Sequence, residues 1–391
     1  MPWRESSPMS ERLAFIQACL DRREKIVEIC DRFGISEKTG QKWLQRFRTL
    51  GEAGLADRSH APLHGTHRLE PAVIDAIVAL RKQHRLWGAA KLRDRLIQRA
   101  PEHHWPAAST IGELLQREGL IRPRRRRPRA HARLASDRTE ASAANVVWTA
   151  DFKGQFRLGT GASCYPLTIL DLHSHFLLRC TALPSTAVAS ARLIFSRAFA
   201  QYGLPDVLRT DNGVPFAQPN ALGRLGALAF WWVRLGIRPE HIRPATPSEN
   251  GAHERFHKTL KAEATHPGSR SFAAQQRRFD RFRAEYNTER PHASTPDHRP
   301  PGHGYTPSAR PYPARLPALD YPTASVIRRV ERGGAIKWRG HPIFLSMNLI
   351  GQEVGLTETD TDVMRIDYAA LTLGEFDLHT HRFIPDARWH G

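Results

Sequence analysis

Acidic residues are scarce in this sequence relative to basic ones: 39 Asp and Glu stand against 58 Lys and Arg, a formal net charge of +19. Such an imbalance says little about fold and much about partners, because it draws polyanions to the surface. Nucleic acid is the leading partner. The dominance of Arg fits it, since guanidinium forks match phosphate oxygens two at a time. Cysteine is scarce too. The four present, Cys19, Cys30, Cys164 and Cys180, form no C-x-x-C pair. That argues against a disulfide scaffold or a zinc finger and reads as reduced, mostly buried thiols. Long apolar runs are missing: the longest, Leu225 to Val233 (LGALAFWWV), is about half of what a membrane-spanning helix requires. The opening stretch, MPWRESSPMSER, lacks a signal peptide's apolar core, so a cytoplasmic protein without membrane contact is expected.

What is present suffices for a multidomain protein. Its 391 residues allow two to four domains, and 40% apolar with 25% charged residues build cores rather than disorder. The first segment, 1–60, reads as three short helices. Residues 10–21 align Leu13, Ile16 and Leu20, and 24–33 align Ile26, Ile29, Cys30 and Phe33. Gly34 stops the second helix and Ser36 caps the third, 36–49. That helix turns Trp43, Leu44 and Phe47 inward and Lys38, Lys42, Arg46 and Arg48 outward. Helix, glycine turn and helix with a basic outer face is the helix-turn-helix pattern for docking in a major groove; a plain bundle with a solvated basic face is the other reading. A second helical DNA-binding unit is expected over 65–121, with helices at 70–84, 89–99 and 108–119. A basic linker, 122–144, follows, and its Arg124, Arg125, Arg126 and Arg127 are placed to track a phosphate backbone, a solvated tether being the alternative.

At Asn145 the pattern changes. Strands are expected at 146–152, 164–172, 175–183 and 206–210, with helices at 186–201, 250–265 and 271–287. This is an α/β domain with a mixed sheet, over 145–295. Seven prolines between Pro296 and Pro317 favour an extended linker, 296–322, over a packed element. Short β-like runs with intervening glycines then suggest a small barrel-like domain over 323–385, with Arg328, Arg329, Arg332, Lys337 and Arg339 as another basic surface.

Three acids carry the chemistry. Asp151 lies inside an apolar strand, where a carboxylate is costly unless paired or liganding a metal. Asp211 follows the strand 206–210 and opens an Asp-Asn-Gly turn, which aims it into the crevice beside the sheet. Glu254 starts an amphipathic helix on the same face as Lys258 and Lys261, which would hold DNA phosphates. Three converging carboxylates can hold two divalent cations about 3.5–4 Å apart. Oxygen-only ligation favours Mg²⁺ or Mn²⁺ over zinc, and no small-molecule cofactor is expected.

The stretches WTADFKGQF (148–156), LRTDNGVPF (208–216) and ENGAHERFHKTLKAE (249–263) resemble the integrase core of insertion-sequence transposases and retroviral integrases, the DDE superfamily. YNTERPH (286–292) and the helix-turn-helix pair resemble its bacterial insertion-sequence branch. The resemblance implies a ribonuclease-H-like core with Asp151, Asp211 and Glu254 as catalytic metal ligands. It also implies cleavage at element ends and strand transfer into target DNA. One departure stands out: 42 residues separate Asp211 from Glu254, whereas 37 separate it from Glu249, a spacing nearer the family's own. The N-G-x-x-E string selects Glu254, with the surplus placed in 217–232 as an insertion or a longer helix before Val233. Asp171 and its neighbours His173 and His175 are expected to serve the strand turn rather than a metal.

The expected function is therefore that of a bacterial, nucleoid-associated transposase that binds double-stranded DNA, both element ends and target, as a homo-oligomer. Two other readings remain at this stage. A catalytically inactive, domesticated DNA-binding protein or repressor would bind without cleaving. A plain metal-dependent nuclease would nick without joining.

Overall fold

The computed structural model describes residues 7–57, 69–121, 138–218, 221–242, 251–360 and 362–386. The chain divides into two compact units, Met1–Leu69 and Glu70–Gly391.

In the first unit, α1 (Pro8–Leu20), α2 (Ile26–Arg32) and α3 (Glu37–Leu50) close over Phe15, Ile16, Ile29, Cys30, Trp43 and Leu55. Ser36 caps α3 as expected, its hydroxyl accepting from the Thr39 backbone N–H, and Gly34 takes φ +65° at the preceding turn. Gly40 has to be glycine: a Cβ there would sit 2.4 Å from Cys30 Sγ, so α2 and α3 meet almost backbone to side chain.

The second unit opens with α4 (Pro71–Gln83), α5 (Ala89–Arg99) and α6 (Ala108–Arg117) around Ile77, Leu92, Ile111 and Leu115. The core sheet follows: β1 (Val147–Phe152), β2 (Phe156–Arg157), β3 (Ser163–Asp171), β4 (Leu177–Leu183), β5 (Val207–Thr210) and β6 (Arg238–His241). β3 pairs antiparallel with both β1 and β4, while β5 runs parallel to β1 and β6 parallel to β5. The order β4-β3-β1-β5-β6, with an antiparallel half and a parallel half, is the ribonuclease-H-like arrangement. The central strands are apolar on both faces because helices cover both. On one side lie α7 (Val188–Tyr202) and α8 (Ala227–Arg234); on the other lie α9 (Gly251–Leu260) and α10 (Phe272–Thr288).

The short strands β2 and β6 carry no periodic signal, and the sequence pattern missed them; the surplus in 217–232, open to either an insertion or a longer helix, contains most of helix α8. α8 explains the run AFWWV. Its Trp232 meets Phe195 of α7 at 5.1 Å between ring centres. On its other flank, Phe230 meets Tyr368 of the C-terminal sheet edge-on at 5.5 Å. A helix buried on two sides has no polar face to offer.

That C-terminal region holds a five-stranded antiparallel sheet of β7 (Val326–Arg329), β10 (Glu353–Asp360), β11 (Val363–Tyr368), β12 (Leu371–Asp377) and β13 (Arg382–Pro385). A ribbon of β8 (Ala335–Trp338) and β9 (His341–Phe344) lies beside it. Among the described residues the sheet runs β13-β12-β11-β10-β7 as an open ladder. The proline-rich segment before it is not extended throughout: it opens with two short 3-10 turns, Pro296–His298 and Pro301–His303, and it is packed rather than free. Tyr305 stacks on Phe176 at 4.2 Å, and Ser308 N–H donates to the Tyr202 carbonyl. Arg310 reaches the Pro205 carbonyl, the Gly236 carbonyl and the Asp206 carboxylate. Aromatic and basic residues between the prolines supply the contacts that proline itself cannot.

The helices α4–α6 are joined to the core by polar contacts centred on the YNTERPH segment. His84 meets Glu285 at 2.9 Å, Arg95 meets Glu289 at 3.2 Å, and Lys91 donates to the Pro291 carbonyl at 2.6 Å. Asn287 reaches the other way, accepting from the Leu177 N–H and donating to the Leu177 carbonyl of β4. The segment thus holds strand, helix and helical unit together.

Candidate active site

Parallel pairing sets Ala150 opposite Thr210, so Asp151 and Asp211 follow side by side at the carboxyl ends of β1 and β5. Both are half-buried. Burial pushes the Asp211 carboxyl up from its ordinary value, while the Gly213 backbone N–H works in the opposite direction. Gly213 must be small, since a Cβ there would stand 2.9 Å from Asp211 Oδ2. Among the described residues Asp211 makes no ion pair. Two half-buried carboxylates side by side at neighbouring strand ends suit a cation. The donor atoms are oxygens, so the pair fits a hard divalent ion.

Glu254 lies in the first turn of α9 and is exposed. The structure fixes its helix through two histidines, His253 and His257, of which the sequence offered His257 only as a DNA contact; burial turns both to the sheet instead. His253 and His257, one turn apart, are both buried and both converge on Thr168 of β3. Thr168 Oγ1 donates its single proton to the Asp151 carbonyl at 3.0 Å. It can therefore only accept from the imidazoles, His253 Nε2 at 2.7 Å and His257 Nε2 at 2.9 Å. His253 Nδ1 then accepts from Thr149 Oγ1 of β1 at 3.3 Å. Burial drives both imidazoles toward the neutral form. His253 falls well below its usual pKa, and His257, with Lys153 adding to the effect, falls to about 3. His257 Nδ1 stands 3.7 Å from Asp151 Oδ2, and since the ring is neutral this approach is no ion pair. Asp151, His253 and His257 offer ligand atoms all within 4.8 Å of one another. The signal in the sequence was the i, i+4 pair of histidines on the face that also carries Leu260, a face turned to the sheet.

Of the expected DNA contacts, Lys258 and Lys261 are exposed, Lys258 in the last turn of α9 and Lys261 at the start of a π-helical turn, Lys261–Thr265. Lys258 lines a cleft of about 760 Å³ whose other wall comes from the end of α4 and the turn into α5, including Arg81, Arg85 and Leu86. On α3, Lys38, Lys42 and Arg48 are exposed, but Arg46 is half-buried. Lys42 and Arg46 lie over the Trp43 ring at 4.8 and 5.0 Å, and Arg12 covers it at 4.1 Å. Arg124, Arg125, Arg126, Arg127 and Glu249 lie outside the described residues. Asp171 is completely buried and accepts from the Asn145 N–H, the Ser174 N–H and the Ser174 hydroxyl at 2.7, 2.8 and 2.6 Å. Its oxygens serve the strand turn.

Models of the integrase core domain match residues 141–247 and 235–301, which together span all three acids. The chain carries an integrase core. A helix-turn-helix domain model matches residues 11–62, and a homeodomain-like domain model matches residues 39–115, ahead of that core. Among solved structures, the integrase-core chain is similar to one in the simian T-cell lymphotropic virus intasome in complex with PP2A regulatory subunit B56 gamma. The two are 16% identical over 76% of this chain and 97% of that one, with a TM-score of 0.35. It is also similar to the HTLV-2 integrase catalytic core domain in complex with magnesium, at 13% identity over 42% of this chain and 99% of that one, TM-score 0.31.

Proposed function

We propose that this integrase-core protein is a DNA transposase of the insertion-sequence type, which cuts the ends of its element and joins them to target DNA. The observation that carries the reading is the pair Asp151 and Asp211, brought side by side at adjacent strand ends within an integrase core. Helix geometry supports Glu254 as the third acid. His257 lies three residues further on, hence on a neighbouring part of the same face, and it reaches Asp151.

Asp151, Asp211 and Glu254 would hold Mg²⁺ or Mn²⁺ as a pair of ions. Such ions supply a nucleophile at neutral pH, water or a 3′-hydroxyl, and stabilise the leaving oxygen. The chain's own part is positioning. The two strands fix the aspartates at one spacing, and Thr168 with its two histidines fixes α9 over them. Lys258 and Lys261 hold phosphates beside the helix. Direct displacement at phosphorus leaves no covalent protein intermediate.

The helix-turn-helix units would bind the element ends, with α3 presenting Lys38, Lys42, Arg46 and Arg48, and Arg124–Arg127 would follow the backbone. Cutting and joining two ends together calls for a homo-oligomer on the DNA. Neutralising about eight phosphates would give a slope of roughly −7 for log K against log salt.

The test is a Mg²⁺-dependent cleavage and strand-transfer assay on DNA from the flanks of the encoding gene. Asp151→Asn, Asp211→Asn and Glu254→Gln should each abolish both products and leave DNA binding intact. Tight binding without cleavage in the unaltered protein would point to a DNA-binding repressor instead. Nicked but never joined products would point to a nuclease.

A further inference from the structure

On the flank of α9 turned away from Glu254, a cavity of about 240 Å³ opens between α5, α9, the β3–β4 turn and the segment that follows α10. Helix geometry makes the separation: Ala252, Arg255 and Thr259 share one face, while Glu254, Lys258 and Lys261 share another. Lys91, Arg255 and Arg290 line the cavity, three positive charges against a single carboxylate, Asp171. Asp171 offers little compensation, since its oxygens already accept from Asn145 and Ser174. Lys91 gives one proton to the Pro291 carbonyl and keeps two. Arg290, 7% exposed, is held by Glu263 through Nη1 alone, so its Nε and Nη2 make no hydrogen bond among the described residues. Arg255, exposed at the edge of the cavity, makes no ion pair among them. The hydroxyl of Tyr286, a side chain 4% exposed, and the buried Nδ1 of His292 have no hydrogen-bond partner there either. So many unengaged polar groups around one recess call for an acceptor. Burial first, then His175, Lys91, Arg290 and Arg255, lower the His292 pKa to about 3, which marks a positive potential that nothing cancels.

We infer that this cavity is a binding site for a terminal phosphate, the dianionic monoester at the 5′ end of a nucleic-acid strand. The inference rests on the DNA reading above and adds an anion site to it, apart from the carboxylates. Two guanidinium groups with unengaged N–H edges and an ammonium can together direct several protons at one set of phosphate oxygens. A monoester suits the cavity better than a backbone diester for two reasons. It carries about 1.5 to 2 negative charges at neutral pH, against a single one for a diester, and so answers the excess charge of the lining. It also stands at a chain end, and a recess of about 240 Å³ admits the end of one strand but not a duplex. Cleavage supplies such an end. When water attacks phosphorus, the new bond is to the water oxygen and the bond to the 3′ oxygen breaks. A proton passes to that oxygen, giving the 3′-hydroxyl needed for joining, and the phosphate stays on the other piece as its 5′ terminus.

Fluorescence anisotropy of the full chain with a short single-stranded DNA reads the site, in EDTA so that no cation bridges DNA to the carboxylates. The 5′-phosphorylated strand should bind about tenfold tighter than the same strand with a 5′-hydroxyl, which is what one hydrogen bond to a charged group is worth. Arg255→Gln and Lys91→Gln should each cancel that preference. Arg255 is exposed, so its variant keeps the fold. Lys42→Ala on α3 should weaken both strands alike and leave the preference in place. Equal binding of the two strands by the unaltered protein would overturn the inference while sparing the DNA reading. So would a preference that survives both Arg255→Gln and Lys91→Gln. Inorganic phosphate should compete far less well than the phosphorylated strand; equal competition would make this a site for free phosphate and overturn the assignment to a strand end. No binding of either strand or of duplex DNA would remove the DNA reading itself.

Discussion

The Asp171 carboxylate accepts the backbone N–H of Asn145 at 2.7 Å, tying the end of β3 to the residue that leads into β1. Asn145 itself takes φ +68° and collects the Trp148 indole N–H and the Tyr305 hydroxyl on its side-chain oxygen. One buried acid thus closes a junction of strand, turn and proline-rich strap. Asp171→Ala would leave two backbone N–H groups and a hydroxyl unsatisfied in a dry site. A loss of about 2–4 kcal/mol is expected in urea unfolding. Metal affinity measured well below the transition should stay unchanged, whereas a metal-ligating Asp171 would show the opposite pattern.

A half-buried pair links stability to pH. His175 and His292 stack at 4.4 Å between ring centres. Burial lowers the pKa of His292 to about 3, with His175, Lys91, Arg290 and Arg255 adding to it. His175 is lowered by burial and by Arg255, against the opposing pull of Asp171. The unfolded chain therefore binds protons that the folded one refuses. Stability is complete above the ordinary histidine pKa of 6.5 and falls as pH drops from there toward 3, by at most about 1.4 kcal/mol per pH unit for His292. His292→Gln should flatten that slope in unfolding curves taken from pH 7 to pH 4; an unchanged slope would mean that His292 titrates normally.

These pairings explain what could and could not be read from the sequence. The main strands, α7, α9 and α10 were legible because each buries one regular face or a continuous apolar run. Asp151 and Asp211 were legible because a carboxylate in or just after an apolar strand demands a reason. Their adjacency depends on parallel pairing of β1 with β5, which only the fold supplies. His253 and His257 could be read from the sequence only as lacking a zinc-ligand pattern and, for His257, as a DNA contact near Glu254. Their partners, Thr149 and Thr168, lie about a hundred residues away on two strands. β6 escaped for a related reason, being four residues long, and α8, buried on two sides, shows no period, so the surplus in 217–232 could be read only as an insertion or a longer helix.

Two residues compete to be the third acid. Glu254 is a helical residue of α9 next to the anchored His253, while Glu249 lies outside the described residues. Glu254→Gln should lower strand cleavage by a thousandfold or more, on the order of 4 kcal/mol of barrier, with DNA affinity within a factor of about two. Glu249→Gln should keep most of the activity. The reverse outcome would hand the role to Glu249 and match the shorter spacing.

The cleft between the helical unit and the core extends the basic track beyond α9. Lys258 on one wall and Arg85 on the other line the same cavity, and an adjoining one of about 680 Å³ adds Lys82 and Arg281. The acids there are already engaged, Glu263 by Arg290 at 2.6 Å and Glu285 by His84 at 2.9 Å. Lys82, Arg85, Lys258 and Arg281 make no ion pair among the described residues, so their charge is available to phosphates. Leu86, 54% exposed, lines both cavities. Replacing Lys82 and Arg85 together by Ala should lower the magnitude of the salt slope of DNA binding by about 1.8, roughly 0.9 for each lost phosphate contact. Both residues are exposed, so the melting temperature should hold. A slope equal to that of the unaltered protein would take this cleft off the DNA path and leave α9 and the helix-turn-helix units as the whole of it.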